Sequence, residues 1–150
     1  MRLWHKEIVR ALPELQLKSQ WRELVLIAKD IHEKGETNHI LINRVMDYDL
    51  DHFNSYCNIV MSAMIDRGIR VTRESCEKLT AYTWFVPNGK MIVPICDLYK
   101  DWHDFKYLLC NMANLYEKHF YAKGKSQITE RDWNALTTRY KDFVGMDYKI

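Results

Sequence analysis

The chain has 150 residues, of which 47% are apolar and 13% aromatic, and its formal net charge is +2. This length fits one domain with a single sizeable core, and the apolar content excludes a disordered chain. Only five Gly and three Pro are present, which argues against a turn-rich β-sandwich. We predict an all-α fold: one compact domain over residues 1–150, a bundle of four to five helices with one minor hairpin.

The sequence shows no targeting segment and no pattern that binds a metal. Its first residues are charged, no apolar signal core follows them, and the apolar runs are far shorter than a membrane span. The four cysteines contain no C-x-x-C pair, and the six histidines contain no H-E-x-x-H spacing. We therefore expect a soluble, cytoplasmic monomer with no metal, no other cofactor and no membrane partner.

Positive charge is concentrated at the two ends of the chain. Residues 1–22 carry a net charge of +3, residues 23–117 carry −4, and residues 118–150 carry +3. If the two ends meet in space, they form one basic face suited to phosphate groups. On charge alone, the alternative that these residues are solvated helix ends remains open.

The first predicted helix begins at Pro13 and Glu14, a favoured arrangement for a first helical turn. Gly35 after Lys34 is a typical C-terminal stop. The apolar positions of the helix recur at helical spacing and form one stripe: Leu17, Trp21, Leu24, Ala28 and Ile31.

Further helices follow in chain order. The second runs from Asp49 or Asp51 to Arg67, closed by Gly68, and a short third helix covers Arg73–Leu79. Apolar runs at 83–86 and 91–93 flank a Pro-Asn-Gly-Lys sequence, which predicts a small hairpin.

Two helices remain in the second half of the chain. A long one is predicted over Tyr99–Tyr121, and a last one begins at Thr129, where Asp132 resembles a capping-box partner. The predicted inward residues of the long helix are Trp102, Phe105, Leu109, Met112 and Tyr116. Those of the last helix are Trp133, Leu136 and Tyr140.

The first helix also carries a candidate catalytic group. At 100° per residue, Glu23 borders the apolar stripe on the same side as Gln16 and Gln20, whereas Lys18 and Arg22 lie on the opposite flank. The natural partner of this carboxylate is the α-amine of the chain, because α-amines lose their proton near neutral pH and lysines do not. The long side chain of Arg2 predicts that Met1 is retained and supplies that amine.

Amine and carboxylate together suffice for metal-free cleavage of a glycosidic bond. A neutral amine attacks C1′ of a nucleotide, displaces the base and leaves an imine, after which β-elimination breaks the strand. On spacing alone, however, a border glutamate such as Glu23 is more often a solvated charge, and Arg22 more often a surface ion-pair residue. The residues by themselves leave both interpretations open.

Residues 12–24 resemble the first motif of the pyrimidine-dimer DNA glycosylases of the endonuclease V type. The matching positions are Leu12, Leu17, Arg22, Glu23 and Leu24. A second, looser similarity covers 50–71, and the opening Met-Arg-Leu-Trp-His resembles a bacterial branch of the family. Gln16 stands where the family motif has His, and Leu26 stands where it has Arg.

The resemblance implies a compact, mainly helical, metal-free enzyme that kinks double-stranded DNA and extrudes a nucleotide. It implies a DNA glycosylase with AP-lyase activity that removes damaged or modified pyrimidines, with the Met1 α-amine as nucleophile and Glu23 as catalytic carboxylate. The expected DNA contacts are Arg2, Arg10, Gln16, Lys18 and Arg22.

Two alternatives stay open at this point. The chain could be a non-catalytic helical module that binds DNA or another protein on the same scaffold. It could also be an enzyme for another modified pyrimidine, with Asn38, His39 and the acidic residues of 47–51 lining a different pocket.

Overall fold

A computed structural model describes residues 1–89 and 92–149 of the chain. Its α-helices are α1 (Glu14–Lys34), α2 (Leu50–Asp66), α3 (Arg73–Thr83), α4 (Phe105–Phe120) and α5 (Glu130–Val144). Short 3₁₀ turns lie at Val9–Ala11, Ile42–Asp47 and Gly124–Ser126. The described residues contain no strand, so the all-α prediction is confirmed. Within the same residues, every helix is too short or too polar to cross a bilayer.

Helix α1 has the predicted bounds, because its two ends carry strong local signals. Pro13 precedes its first residue, and Gly35 takes the left-handed conformation (φ 75°) that a glycine tolerates without strain. The backbone N–H of Gly35 donates to the carbonyl of Ile31 at 3.0 Å. The predicted apolar stripe faces the core and packs against α2 and α3.

The chain from α2 to 89 differs from the prediction at one place. Helix α2 ends as expected, with Gly68 at φ 71° just beyond it, but α3 continues four residues past Leu79. Thr83, predicted to open a hairpin, lies in α3 with its Oγ1 2.9 Å from the Leu79 carbonyl. The hairpin prediction is therefore wrong at its first strand, and residues 90 and 91 lie outside the described residues.

Helix α4 begins six residues later than predicted. The side chain of Asp104 accepts a hydrogen bond from the backbone N–H of Tyr107 at 2.9 Å and caps the helix at that point. The buried face consists of Leu108, Asn111, Met112, Leu115 and His119. Of the predicted inward residues, Trp102 and Met112 are buried and Tyr116 packs against the core, whereas Phe105 and Leu109 are exposed, so the prediction was wrong for those two.

Helix α5 confirms its predicted cap and core face. Thr129 Oγ1 accepts from the backbone N–H of Asp132 at 3.2 Å, and the three predicted core residues are buried. Arg139 of α5 binds Glu7 through two hydrogen bonds, Nε to the Glu7 carbonyl at 2.7 Å and Nη2 to its Oε2 at 2.6 Å. The two ends of the chain therefore do meet in space.

Candidate active site

The N-terminal segment, residues 1–7, is fixed on α1 by the side chain of Gln20. The Oε1 of Gln20 accepts from the backbone N–H of Trp4 at 2.8 Å, and its Nε2 donates to the Arg2 carbonyl at 3.0 Å. Gln20 is fully buried. Its carboxamide thus pairs with the segment as a neighbouring strand would, which sets the register of the first residues on the helix.

Two tyrosine hydroxyls add contacts from other helices. Tyr56 of α2 donates to the Trp4 carbonyl at 2.6 Å, and Tyr107 of α4 donates to the Leu3 carbonyl. Both carbonyls belong to buried residues, and without these hydroxyls they would have no hydrogen-bond donor. Three helices, α1, α2 and α4, therefore hold the segment, and its position depends on how these helices pack together.

Two buried histidines, His5 within the segment and His103 just before α4, also fix the segment on the core. His5 Nε2 donates to the His103 carbonyl at 2.8 Å, and His5 Nδ1 accepts from the backbone N–H of Glu7 at 3.1 Å. His103 Nδ1 accepts from the backbone N–H of Lys6 at 3.0 Å. Burial lowers the pKa of His5 to about 4, and the pKa of His103 is lowered in the same way. Both rings are neutral at physiological pH and act as structural anchors.

A cleft of about 410 Å³ opens where the N-terminal segment meets α1 and α4. Its lining consists of Met1, Arg2, Trp4, Leu15, Gln16, Ser19, Glu23, Asn114 and Lys118. Met1 is 46% exposed and Glu23 is half-buried, so both are open to a ligand in the cleft. The two residues predicted to be catalytic therefore line the same cavity.

Cations stand on both sides of this cleft. The guanidinium of Arg2 lies 5.0 Å from the centre of the Trp4 ring, a cation–π contact that orients the side chain. Lys118 contributes an ammonium group from α4. The cleft thus combines an amine, a carboxylate and two positive side chains, which suits a ligand with a phosphate next to a reactive carbon.

One of three comparisons with known proteins finds a match. A family model described as pyrimidine dimer DNA glycosylase matches residues 1–77, half of the chain. The chain belongs to the pyrimidine dimer DNA glycosylase family. Neither the search of curated proteins nor the search of solved structures finds a match. The family makes this chain a DNA repair glycosylase, and DNA its substrate.

The part that matches the glycosylase family supplies two sides of the cleft, the N-terminal segment and α1. It includes Met1, Arg2, Gln16 and Glu23, whereas the α4 residues lie beyond it. The α1 side of the cleft consists largely of residues 16, 19 and 23, which lie on a single helix face. In the second region of similarity, Arg67 donates to the Leu12 carbonyl and joins α2 to the start of α1.

Three of the predicted DNA contacts lie outside the cleft. Arg10 and Lys18 form surface ion pairs with acidic side chains at 2.9 and 2.6 Å. Arg22 is exposed, and its Nη2 donates to Ser19 Oγ, a cleft residue, at 3.2 Å. Lys18 and Arg22 line a neighbouring groove between α1 and α3, so they flank the cleft without entering it.

Sequence reasoning missed the α4 wall of the cleft. Asn114 and Lys118 are four residues apart and therefore share a helix face. The only signals were their helical spacing and the place of Lys118 in the basic C-terminal region, and neither indicates a contact with α1. Within 1–89 and 92–149, no three His, Cys, Asp or Glu side chains gather closely enough to hold a metal ion.

Proposed function

We propose that this chain is a DNA glycosylase with AP-lyase activity that removes damaged or modified pyrimidines from double-stranded DNA. The observation that carries the proposal is that Met1 and Glu23 line one cleft. The α-amine of Met1 acts as the nucleophile and the carboxylate of Glu23 assists proton transfer. The family and the two cations of the cleft support the same assignment.

The reaction needs only these two groups. The neutral amine forms a bond to C1′, and the base departs with the electrons of the glycosidic bond and takes up a proton. Opening of the sugar then gives an imine, which acidifies the C2′ proton. Glu23 accepts that proton, the C3′–O bond breaks by β-elimination, and water later releases the amine.

The cationic residues bind the DNA backbone in this proposal. Arg2 and Lys118 hold phosphates next to the reacting nucleotide, because both line the cleft. Arg22 and Lys18 contact the duplex from the neighbouring groove, and Arg10 contributes to the overall positive potential. A monomer suffices, since a single chain supplies every group used.

Borohydride trapping tests the proposal. The protein is incubated with a duplex that contains one abasic site, and reduction is expected to give a covalent protein–DNA cross-link. Intact mass spectrometry first establishes that Met1 carries a free amine. Protein whose α-amine has been acetylated serves as the control and should give no cross-link.

The result also separates catalysis from simple binding. If the protein binds undamaged duplex in a salt-dependent manner and that binding is unaffected by acetylation, with no cross-link to any lesion, the non-catalytic module is the better description. Absence of a cross-link with both abasic and ultraviolet-damaged duplex would reject the enzymatic proposal.

A further inference from the structure

Two glutamines one helical turn apart on α1 have opposite environments. Gln20 uses both ends of its carboxamide to hold the N-terminal segment. Gln16 is only 7% exposed, yet its Oε1 has no hydrogen-bond donor among the residues that the structure describes. A buried amide oxygen without a donor destabilises the fold, and a ligand that donates a hydrogen bond to it would remove that cost.

Gln16 lies in the wall of the catalytic cleft. Glu23 follows it by seven residues, which places the two side chains on the same helix face and about 10 Å apart along the axis. Gln16 Oε1 is itself shielded from solvent, and rotation about the last torsion of the side chain, which is broad and nearly two-fold, brings it to the cavity. The carboxamide can therefore offer an acceptor and a donor side by side to a ligand whose sugar lies near Glu23.

We propose that Gln16 reads the Watson–Crick edge of the base that this enzyme removes. The inference rests on the proposed function and gives it a substrate class: a base with an N–H donor beside a carbonyl acceptor, as in thymine- and uracil-type pyrimidines. Gln16 Oε1 accepts from the N3–H of the base, and Nε2 donates to the adjacent carbonyl. Such amide–base pairs are bidentate and discriminate by geometry as well as by hydrogen-bond strength.

The proposed role differs from those of Met1 and Glu23. Gln16 contacts the base before it leaves, whereas the imine and elimination steps involve only the sugar. Gln16 is therefore a specificity residue, and a DNA that has already lost its base should not need it. This difference makes the inference testable separately from the proposed chemistry.

The test compares Gln16→Met with the wild-type protein on two duplexes, one containing a thymine dimer and one containing an abasic site. Methionine keeps the length of the side chain and its helix propensity but removes both polar groups. We expect Gln16→Met to lower kcat/KM for base excision by about 10- to 100-fold. Its cross-linking to abasic-site DNA should stay within about twofold of wild type. The matched control is Gln127→Met, an exposed glutamine outside the cleft, which should leave both reactions unchanged.

Two further measurements exclude a merely structural role. The melting temperature of Gln16→Met should equal or exceed that of the wild type, because the substitution removes an unpaired buried oxygen. A thymine dimer methylated at N3 lacks the donor, so wild-type excision of it should fall to the level of Gln16→Met on the unmodified dimer.

Three outcomes would overturn the inference. Normal dimer excision by Gln16→Met would remove its basis while the proposed chemistry stands. Equal losses on both duplexes with a lowered melting temperature would make Gln16 a structural residue. Failure of the wild-type protein to cross-link abasic DNA would reject the proposed function, and this inference with it.

Discussion

Gln20 Oε1 accepts the backbone N–H of Trp4 at 2.8 Å, and both residues are buried. Replacement of Gln20 by leucine keeps the volume but leaves that N–H and the Arg2 carbonyl without partners. We expect Gln20→Leu to lower the free energy of unfolding by about 2–4 kcal/mol, measured by urea denaturation. Because Met1 is then no longer held in a fixed position on α1, cross-linking of the folded protein to abasic DNA should fall at least about tenfold.

The control for that change is Gln127→Leu. Gln127 is exposed and loses a single side-chain hydrogen bond, from Nε2 to the His119 carbonyl at 3.2 Å, so the free energy of unfolding should change by about 1 kcal/mol or less. A Gln20→Leu protein as stable and as active as this control would show that the segment is held by its other contacts.

Glu23→Gln tests the contribution of the Glu23 carboxylate separately from that of the Met1 amine. The amide fits the same half-buried position but cannot accept the C2′ proton, so strand cleavage at an abasic site should fall by about 10²- to 10⁴-fold. DNA affinity, measured by fluorescence anisotropy, should stay within about threefold of wild type, since no phosphate contact is lost. Glu33→Gln on the exposed part of the same helix is the charge-matched control, and equal activity of both variants would contradict the role of Glu23.

Lys118→Gln tests the α4 wall of the cleft. If Lys118 neutralises one phosphate, the slope of log affinity against log salt should become shallower by about 0.9. Lys106→Gln lies on the same helix outside the cleft and provides the comparison. A slope that is the same in Lys118→Gln, Lys106→Gln and the wild type would mean that DNA does not approach this wall.

The buried histidines predict a loss of stability in acid. Burial holds the pKa of His5 at about 4 against an ordinary value of 6.5, with Lys6 lowering it further and the bond to the His103 carbonyl opposing the shift. Between these two values the unfolded chain binds a proton that the folded chain does not, so the free energy of unfolding falls as the pH drops from 6.5 to 4. The difference corresponds to about 3 kcal/mol for His5, and His103 acts in the same direction.

Urea denaturation at several pH values between 7 and 4.5 measures this dependence. His5→Gln should make it shallower by up to one proton, whereas His39→Gln, on an exposed loop, should leave it unchanged. Identical pH dependence in the wild type and His5→Gln would show that His5 titrates normally in the folded state.

Local signals were enough to predict three of the five helices closely. Pro13, Gly35, Gly68 and Thr129 each act within a few residues of themselves, so they mark α1, α2 and the start of α5 without reference to the rest of the fold. The start of α4 could not be found in this way. Apolar and aromatic residues continue on both sides of Asp104, and only the structure shows that its side chain caps the helix.

The candidate site likewise has one part that local sequence signals predict and one part that depends on tertiary packing. The common face of Gln16 and Glu23 follows from helical geometry, and its prediction needed no tertiary information. The approach of Lys118 depends on the packing of α4 against a segment more than a hundred residues earlier in the sequence. That contact has no sequence signal of its own, because no local pattern records which distant helix completes a cavity.

The anchoring of residues 3–5 by Tyr56, His103, Tyr107 and Asn111 has a consequence for biosynthesis. These first residues leave the ribosome long before α4 has been translated, and α1 with Glu23 follows soon after them. Until α4 emerges, their partners Tyr107 and Asn111 do not yet exist. A nascent or prematurely terminated polypeptide therefore carries the Met1 amine and the Glu23 carboxylate without the helix that completes their cavity.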